Sequence, residues 1–238
     1  MPAAPLEIAN LTAGYGPTRV IEGLSLSVPA GSRFAVLGRN GVGKTSLFAT
    51  LAGQTKRFAG DIHLGGQDIT ALPSAARALA GLGYVPQTRD VFPTLTVEEN
   101  LFVGLKVRPK AAIEEAYTLF PRLKERRRNL GSQLSGGEQQ MLSTARTILG
   151  QPQVLLLDEP LEGLAPVICE ELMAAFSKLA QSGEMTILLI EQRIQMAIDF
   201  ADHAIIMERG RIVWSGPSDD LAANPDIVDT HLGVGGLH

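Results

Sequence analysis

Cysteine is almost missing from this chain: Cys169 is the one cysteine in 238 residues. A single thiol excludes an intrachain disulfide and fits a reducing compartment. Because it stands in a helix-like apolar stretch, it is expected to be a packed, inert thiol rather than a nucleophile. Aromatic residues are scarce as well, at 5%, so the core must be built from Leu, Ile, Val and Ala. Positive charge is not in excess either: 21 basic against 25 acidic residues give a formal charge of -4, which argues against a broad nucleic-acid-binding surface. Apolar runs such as Ile187 to Ile190 fall far short of the roughly 20 residues that a spanning helix needs. Met1 to Asn10 has no basic head followed by an apolar run and does not read as a secretory signal. Any membrane role is therefore expected to come through a partner. His63, His203, His231 and His238 are scattered without metal-ligand spacing, and no Ser-His-Asp or Cys-His constellation emerges.

What the chain has in quantity is glycine, 25 residues, and 45% hydrophobic residues, enough for one globular unit with a buried core. Strand-like and helix-like stretches alternate, which predicts an α/β fold around a mostly parallel sheet. Strands are expected at Val20 to Val28, Arg33 to Leu37, Ile62 to Leu64, Gly83 to Val85, Val154 to Leu157 and Met185 to Ile190. Lys44 to Ala52, Glu138 to Leu149 and Val167 to Ala180 are expected helices, the last docking through Leu172, Phe176 and Leu179. Between Thr96 and Leu130 the pattern turns helical, with Val97, Leu101 and Leu105 at helical spacing and then Ala111 to Phe120. This predicts one domain over 1–238 with a helical subdomain at about 88–150. Ala204 to Met207 and Arg211 to Trp214 flank a hairpin turn at Glu208-Arg209-Gly210.

Three segments carry chemistry. Gly38-Arg39-Asn40-Gly41-Val42-Gly43-Lys44-Thr45, with Ser46 after it, fits G-x-x-x-x-G-K-[ST] between a strand and a helix. Glycines let the backbone wrap phosphates, amides and the helix N-terminus supply positive potential, Lys44 reaches the β- and γ-phosphates, and Thr45 offers a hydroxyl to magnesium. Asp158 ends the buried run Val154 to Leu157, so its carboxylate emerges at the carboxyl end of a strand, where α/β sheets place ligands; it is a candidate for Mg2+. Glu159 beside it could polarise water as a general base. Leu134-Ser135-Gly136-Gly137-Glu138 reads two ways, as an S-x-x-E capping box and as a second phosphate contact that its paired glycines permit. Both readings stand at this point.

In this order and spacing, Gly38 to Thr45, Gln87, Leu134 to Glu138 and Val154 to Glu159 resemble the Walker A, Q-loop, signature and Walker B motifs of an ABC-type ATPase, a P-loop NTPase. The segment Val91 to Leu101, Ser135 to Leu142 as SGGEQQML, Glu162 to Pro166, Ile190-Glu191-Gln192, Asn224-Pro225 and His231 to Gly233 are similar to the LivF-type ATPase subunits of branched-chain amino acid importers. The resemblance implies a nucleotide-binding domain with a mostly parallel core sheet, an antiparallel β-subdomain and a helical subdomain. It implies a head-to-tail dimer in which the signature of one subunit meets ATP on the Walker A of the other. On it rest the roles of Tyr15, in a loop between Gly14 and Gly16, stacking on adenine; of Gln87, touching magnesium or the water; and of Gln192, sensing the γ-phosphate where most members have histidine. Catalysis is then assigned to Lys44, Glu159, Gln87 and Gln192, Mg2+ to Thr45, Asp158 and Gln87, and nucleotide contacts in trans to Ser135 through Glu138.

Implied partners are permease subunits, a second ABC ATPase (the resemblance favours a sister chain, with a second copy as the alternative), and an extracellular or periplasmic solute-binding protein; the location is the cytoplasmic face of the cell membrane, peripherally. Nucleic acid is not expected. Ala165 departs from the family by replacing the usual D-loop aspartate, and Pro166 is expected to open the next helix. The basic run Arg122, Lys124, Arg126, Arg127 and Arg128 is read as a solvated face. Two other classes compete: a soluble ABC ATPase of DNA repair or chromosome structure, which typically needs a coiled-coil insertion too long for Thr45 to Leu134, and a small-molecule kinase, which leaves the signature helix unexplained.

Overall fold

Val154 to Leu157 has no polar side because both of its faces are covered. Leu155 and Leu157 pack in one core cluster with Leu172 and Phe176, whereas Val154 and Leu156 pack in the other with Leu47, Phe48 and Leu51. Truncating any of these leucines to alanine is expected to cost about 2–5 kcal/mol. The structure, a computed structural model, describes residues 2–181 and 183–233; His238 lies outside the described residues.

In chain order the strands are β1 (Leu6–Tyr15), β2 (Thr18–Val28), β3 (Arg33–Leu37), β4 (Lys56–Leu64), β5 (Gln67–Asp68), β6 (Leu82–Val85), β7 (Val154–Asp158), β8 (Thr186–Ile190), β9 (His203–Glu208) and β10 (Arg211–Pro217). The helices are α1 (Lys44–Leu51), α2 (Ser74–Leu79), α3 (Val97–Gly104), α4 (Ile113–Leu119), α5 (Pro121–Glu125), α6 (Gly136–Leu149), α7 (Pro166–Gln181), α8 (Ile194–Phe200), α9 (Ser218–Ala223) and α10 (Pro225–Leu232). A six-stranded sheet runs β10-β9-β3-β8-β7-β6. Its strands β9, β3, β8, β7 and β6 are mutually parallel, and β10 returns antiparallel along β9. A second, antiparallel sheet has the order β2-β1-β4-β5. The parallel order brings the carboxyl ends of β3 and β7, which carry the phosphate loop and Asp158-Glu159, to the same edge.

Two differences from the sequence expectation have local causes. Tyr15 is the last residue of β1, paired with Thr18, rather than a loop residue. No strand was expected here because the side-chain alternation of β1 is broken: register shifts fall between Ile8 and Leu11, Leu11 and Ala13, and Ala13 and Gly14, and Asn10 is left-handed at φ 48. Ala111 to Phe120 is not one helix, since a 3-10 turn at Lys110–Ala112 precedes α4. Phe120 leaves the helical region at φ -130, ψ 82, as residues before proline tend to do.

Elsewhere local chemistry and structure agree. Thr96 and Glu99 close a capping box on α3, and Pro166 opens α7. Cys169 is buried, its Sγ 3.8 Å from the carbonyls of Leu161 and Leu164. The β9–β10 turn has φ 46 at Arg209 and φ 75 at Gly210, both positive as a two-residue type I′ hairpin requires. At Gly210 a side chain is also sterically forbidden, because a Cβ there would lie 1.9 Å from the Val20 carbonyl. Its amide donates to Val42 at 2.8 Å and its carbonyl accepts from Glu22 at 3.1 Å, so this turn ties β2 to the phosphate loop. Three of the basic residues near α5 are paired with acids, Arg122 with Glu171, Lys124 with Glu114 and Arg126 with Glu138; at the surface such pairs contribute little.

Candidate nucleotide site

The helix after the phosphate loop starts without a side-chain cap. Its N-cap, Gly43, is left-handed at φ 109 and offers no oxygen, so the first amides of α1 remain available to an anion. Gly38 lets the loop lie against β9, since a Cβ there would meet the Met207 carbonyl at 2.6 Å. Lys44 is buried and its Nζ donates to the carbonyls of Gly38 at 2.7 Å and Arg39 at 3.2 Å. Burial lowers its pKa, partly offset by Glu159 and Asp158, and Nζ stands 3.9 Å from Glu159 Oε1. A cavity of about 290 Å3 gathers Asn40, Gly41, Gly43, Lys44, Thr45 and Ser46 from the loop with Gln87, Glu159, Glu162 and Gln192. Gly38 and Arg39 border an adjoining cavity instead, with Glu191 and Gln192.

Asp158 is fully buried, and its two oxygens are held from different elements. Thr45 Oγ1 donates to Oδ1 at 3.1 Å and the Tyr84 hydroxyl donates to Oδ2 at 3.1 Å. Burial pushes its carboxyl up to about 6, against the pull of these two hydrogen bonds. Burial, then the Asp158 charge, raises the Tyr84 phenol, so it stays a donor. A hydroxyl and a carboxylate this close suit Mg2+, which takes one or two protein oxygens and completes its shell with phosphates and water. Glu159 sits at φ 47, an uncommon backbone for a non-glycine residue that tends to mark functional sites. Its Oε2 accepts from the amide nitrogens of Gln87, at 3.3 Å, and Gln192. Gln87 also donates to Glu162, so its amide faces the acidic pair rather than Asp158.

Sequence reasoning passed over Tyr84 and took Glu162 as part of the segment Glu162 to Pro166. Neither carries a local signal: each joins the site through a partner more than 70 residues away in sequence. Tyr15 and Ser135 to Glu138 do not border the phosphate cavity. Ser135 is the N-cap of α6 and forms the complete capping box with Glu138. The Ser135 hydroxyl accepts from Glu138 N at 3.3 Å and donates to Glu138 Oε2 at 2.8 Å. Although burial works against it, those contacts and Arg126 hold the Glu138 carboxyl below its usual range. A larger groove, about 540 Å3, lies beside Tyr84 and Pro86 and is bordered by Asp90, Phe92, Val103 and Arg146. It contains no phosphate-loop residue.

Fold and loop together define an ATP-binding cassette, and the comparisons agree. Residues 21–162 match the family model described as ABC transporter. The chain is 37% identical over 232 residues to the high-affinity branched-chain amino acid transport ATP-binding protein BraG of Pseudomonas aeruginosa, covering 96% of this chain and 99% of that one. It is 34% identical to the probable branched-chain amino acid transport ATP-binding protein LivF of Archaeoglobus fulgidus, over 96% and 99%, and 31% identical to the lipopolysaccharide export system ATP-binding protein LptB of Escherichia coli, over 97% and 98%. A nucleotide-free ATP-binding cassette from an ABC transporter has the same fold, with a TM-score of 0.82 at 23% identity, covering 98% of this chain and all of the other. The chain belongs to the ABC transporter family, as an ATP-binding subunit of the class that hydrolyses ATP. Among the described residues no helix is long and apolar enough to cross a membrane.

Proposed function

We propose that this chain is the ATPase of an importer, energising uptake of branched-chain amino acids or related small polar solutes through a permease at the cytoplasmic face of the membrane. The observation that carries the hydrolytic part is the convergence on Glu159: Lys44, Gln87 and Gln192 all approach one carboxyl at the mouth of the phosphate loop. Lys44 and the amides of residues 38–46 hold the phosphates of ATP. Thr45 and Asp158 would hold Mg2+, which would supply charge neutralisation on the phosphate oxygens, and Gln87, whose amide faces Glu159 and Glu162, would orient the attacking water. Glu159 takes a proton from the attacking water as its oxygen bonds to the γ-phosphorus, while the bond to the ADP oxygen breaks; the products are ADP, phosphate and a proton. Gln192 and Gln87 orient that carboxyl, and Gln192 donates a neutral hydrogen bond towards the γ-phosphate.

Ser135 to Glu138 complete the site of a second ATPase chain in a head-to-tail pair, Tyr15 stacks on adenine, and residues 1–238 act as one domain with its helical part at about 88–150. A sister ATPase fills the second place, as in the LivF-type resemblance, and a solute-binding protein supplies the permease from the other side. We assign the permease contact to the groove beside Pro86. Exposed Phe92 and Val103 border it, and it adjoins the strand that leads into Gln87.

The test is Glu159→Gln. It should retain ATP binding, accumulate an ATP-bound dimer and lower turnover by at least 100-fold, the scale of a lost general base. Undiminished hydrolysis would remove the base assignment. The likeness to LptB favours a second reading, export of a lipid-linked substrate. Purifying the complex separates them: a co-purifying solute-binding protein and solute-stimulated ATPase belong to the importer.

A further inference from the structure

We propose that Tyr84 is a positioning residue for the cation-bearing carboxylate, its hydroxyl fixing Asp158 Oδ2 so that Oδ1 is presented beside Thr45. The inference rests on the reading of Asp158 as a metal ligand. β6 and β7 are parallel neighbours in which Tyr84 stands opposite Leu156. Asp158 is two residues further along β7 and therefore on the same face of the sheet as Leu156. A diagonal neighbour of this kind is within reach of a tyrosine but not of a short side chain. The result is a carboxylate with its oxygens divided: Oδ2 to Tyr84 and Oδ1 to Thr45, each at 3.1 Å.

Packing alone does not call for this hydroxyl. Phenylalanine would fill the same space, and a residue that only bordered the groove beside Pro86 needs no acceptor deep in the sheet. What the hydroxyl does is fix the rotation of a side chain that has no solvent contact. Ligating carboxylates are commonly held by such outer hydrogen bonds, and losing one typically costs 10–100-fold in metal affinity or activity.

The experiment uses the full chain loaded with ADP and titrated with Mn2+ by electron paramagnetic resonance, alongside ADP affinity without metal. Tyr84→Phe should weaken Mn2+ binding by about 10–100-fold while metal-free ADP affinity stays at the parent value; the melting temperature should fall, because Oδ2 of the buried carboxylate loses its donor. Asp158→Asn is the control and should lose at least as much. If Asp158→Asn leaves Mn2+ binding intact, the metal-ligand reading falls and the inference with it. If Asp158→Asn weakens binding but Tyr84→Phe stays within about twofold of the parent, only the inference is overturned. An equal loss of metal-free ADP binding in Tyr84→Phe also overturns it, by showing general distortion.

Discussion

Asp158 should make the protein, freed of nucleotide and divalent cations, less stable as pH rises, opposite to the usual behaviour of a carboxylate. Burial lifts its carboxyl from the ordinary 3.8 to about 6. Between those values the folded chain holds a proton that the unfolded chain has released, so stability falls as pH increases through the window and the whole contribution is gone above the folded value. The full span corresponds to about 3 kcal/mol; between pH 4.5 and 7.5 the linkage integral gives about 2 kcal/mol. Other carboxyls titrate in the same range, so the measurement is a difference. Urea unfolding of the parent and of Asp158→Asn, in chelator, is followed across that pH range. The stability of Asp158→Asn relative to the parent should grow by about 2 kcal/mol from pH 4.5 to 7.5, because asparagine never ionises. A relative stability that is flat with pH, or that shrinks, refutes the reasoning. The physical content is that the site disfavours a bare carboxylate until a cation shares it.

Ser135→Ala removes the N-cap of α6 and should cost about 1 kcal/mol of stability by denaturant unfolding. It should lower steady-state ATPase activity at least tenfold while leaving ATP affinity of the isolated chain near the parent value; full activity would leave Ser135 as a cap alone. Gly38→Ala should destabilise the chain by more than about 1 kcal/mol, since its Cβ would meet Met207 O at 2.6 Å. It should also weaken binding of a fluorescent ATP analogue at least tenfold, and unchanged binding would mean the loop tolerates a shift away from β9.

The parts of the fold that were legible are those in which one short segment decides the outcome. Val154 to Leu157 could be read as a doubly covered strand because a continuous apolar run this short, with Pro152 before it and Pro160 after it, suits a buried strand better than a helix, and Asp158 followed as its exit. Gly210 announced the hairpin, and Ser135 with Glu138 announced both a helix start and its cap. β1 was illegible because bulges destroyed the alternation that betrays a strand. The site divides in the same way. The phosphate loop is contiguous and was read residue by residue, whereas the Tyr84–Asp158 and Gln87–Glu162 contacts join strands and loops far apart in sequence. Glu191 is a different case: it is buried, and its Oε1 accepts from the amides of its immediate neighbours Gln192 and Arg193, a local turn contact.

The charge balance explains why such a site calls for more than its own walls. Lys44 is the one basic side chain lining the phosphate cavity among the described residues, against Glu159 and Glu162, with Asp158 bonded beneath through Thr45. One ammonium facing three carboxyl groups is a poor receptor for a polyphosphate, even with the amides of α1 contributing about half a positive charge. A divalent cation held by Thr45 and Asp158 would turn the most buried of these acids from a repulsive group into a ligand. The start of α6 does not line this cavity; Ser135 caps its Glu138 amide, and the Gly136 and Gly137 amides are the ones left for an anion. In the proposed head-to-tail pair, a second chain would bring them. On this account ATP is held weakly by one chain with cation, and tightly only when a second chain closes over its phosphates. Raising ionic strength should therefore weaken ATP-driven dimer formation more than it weakens binding to the isolated chain, and the opposite order would break the link between charge and closure.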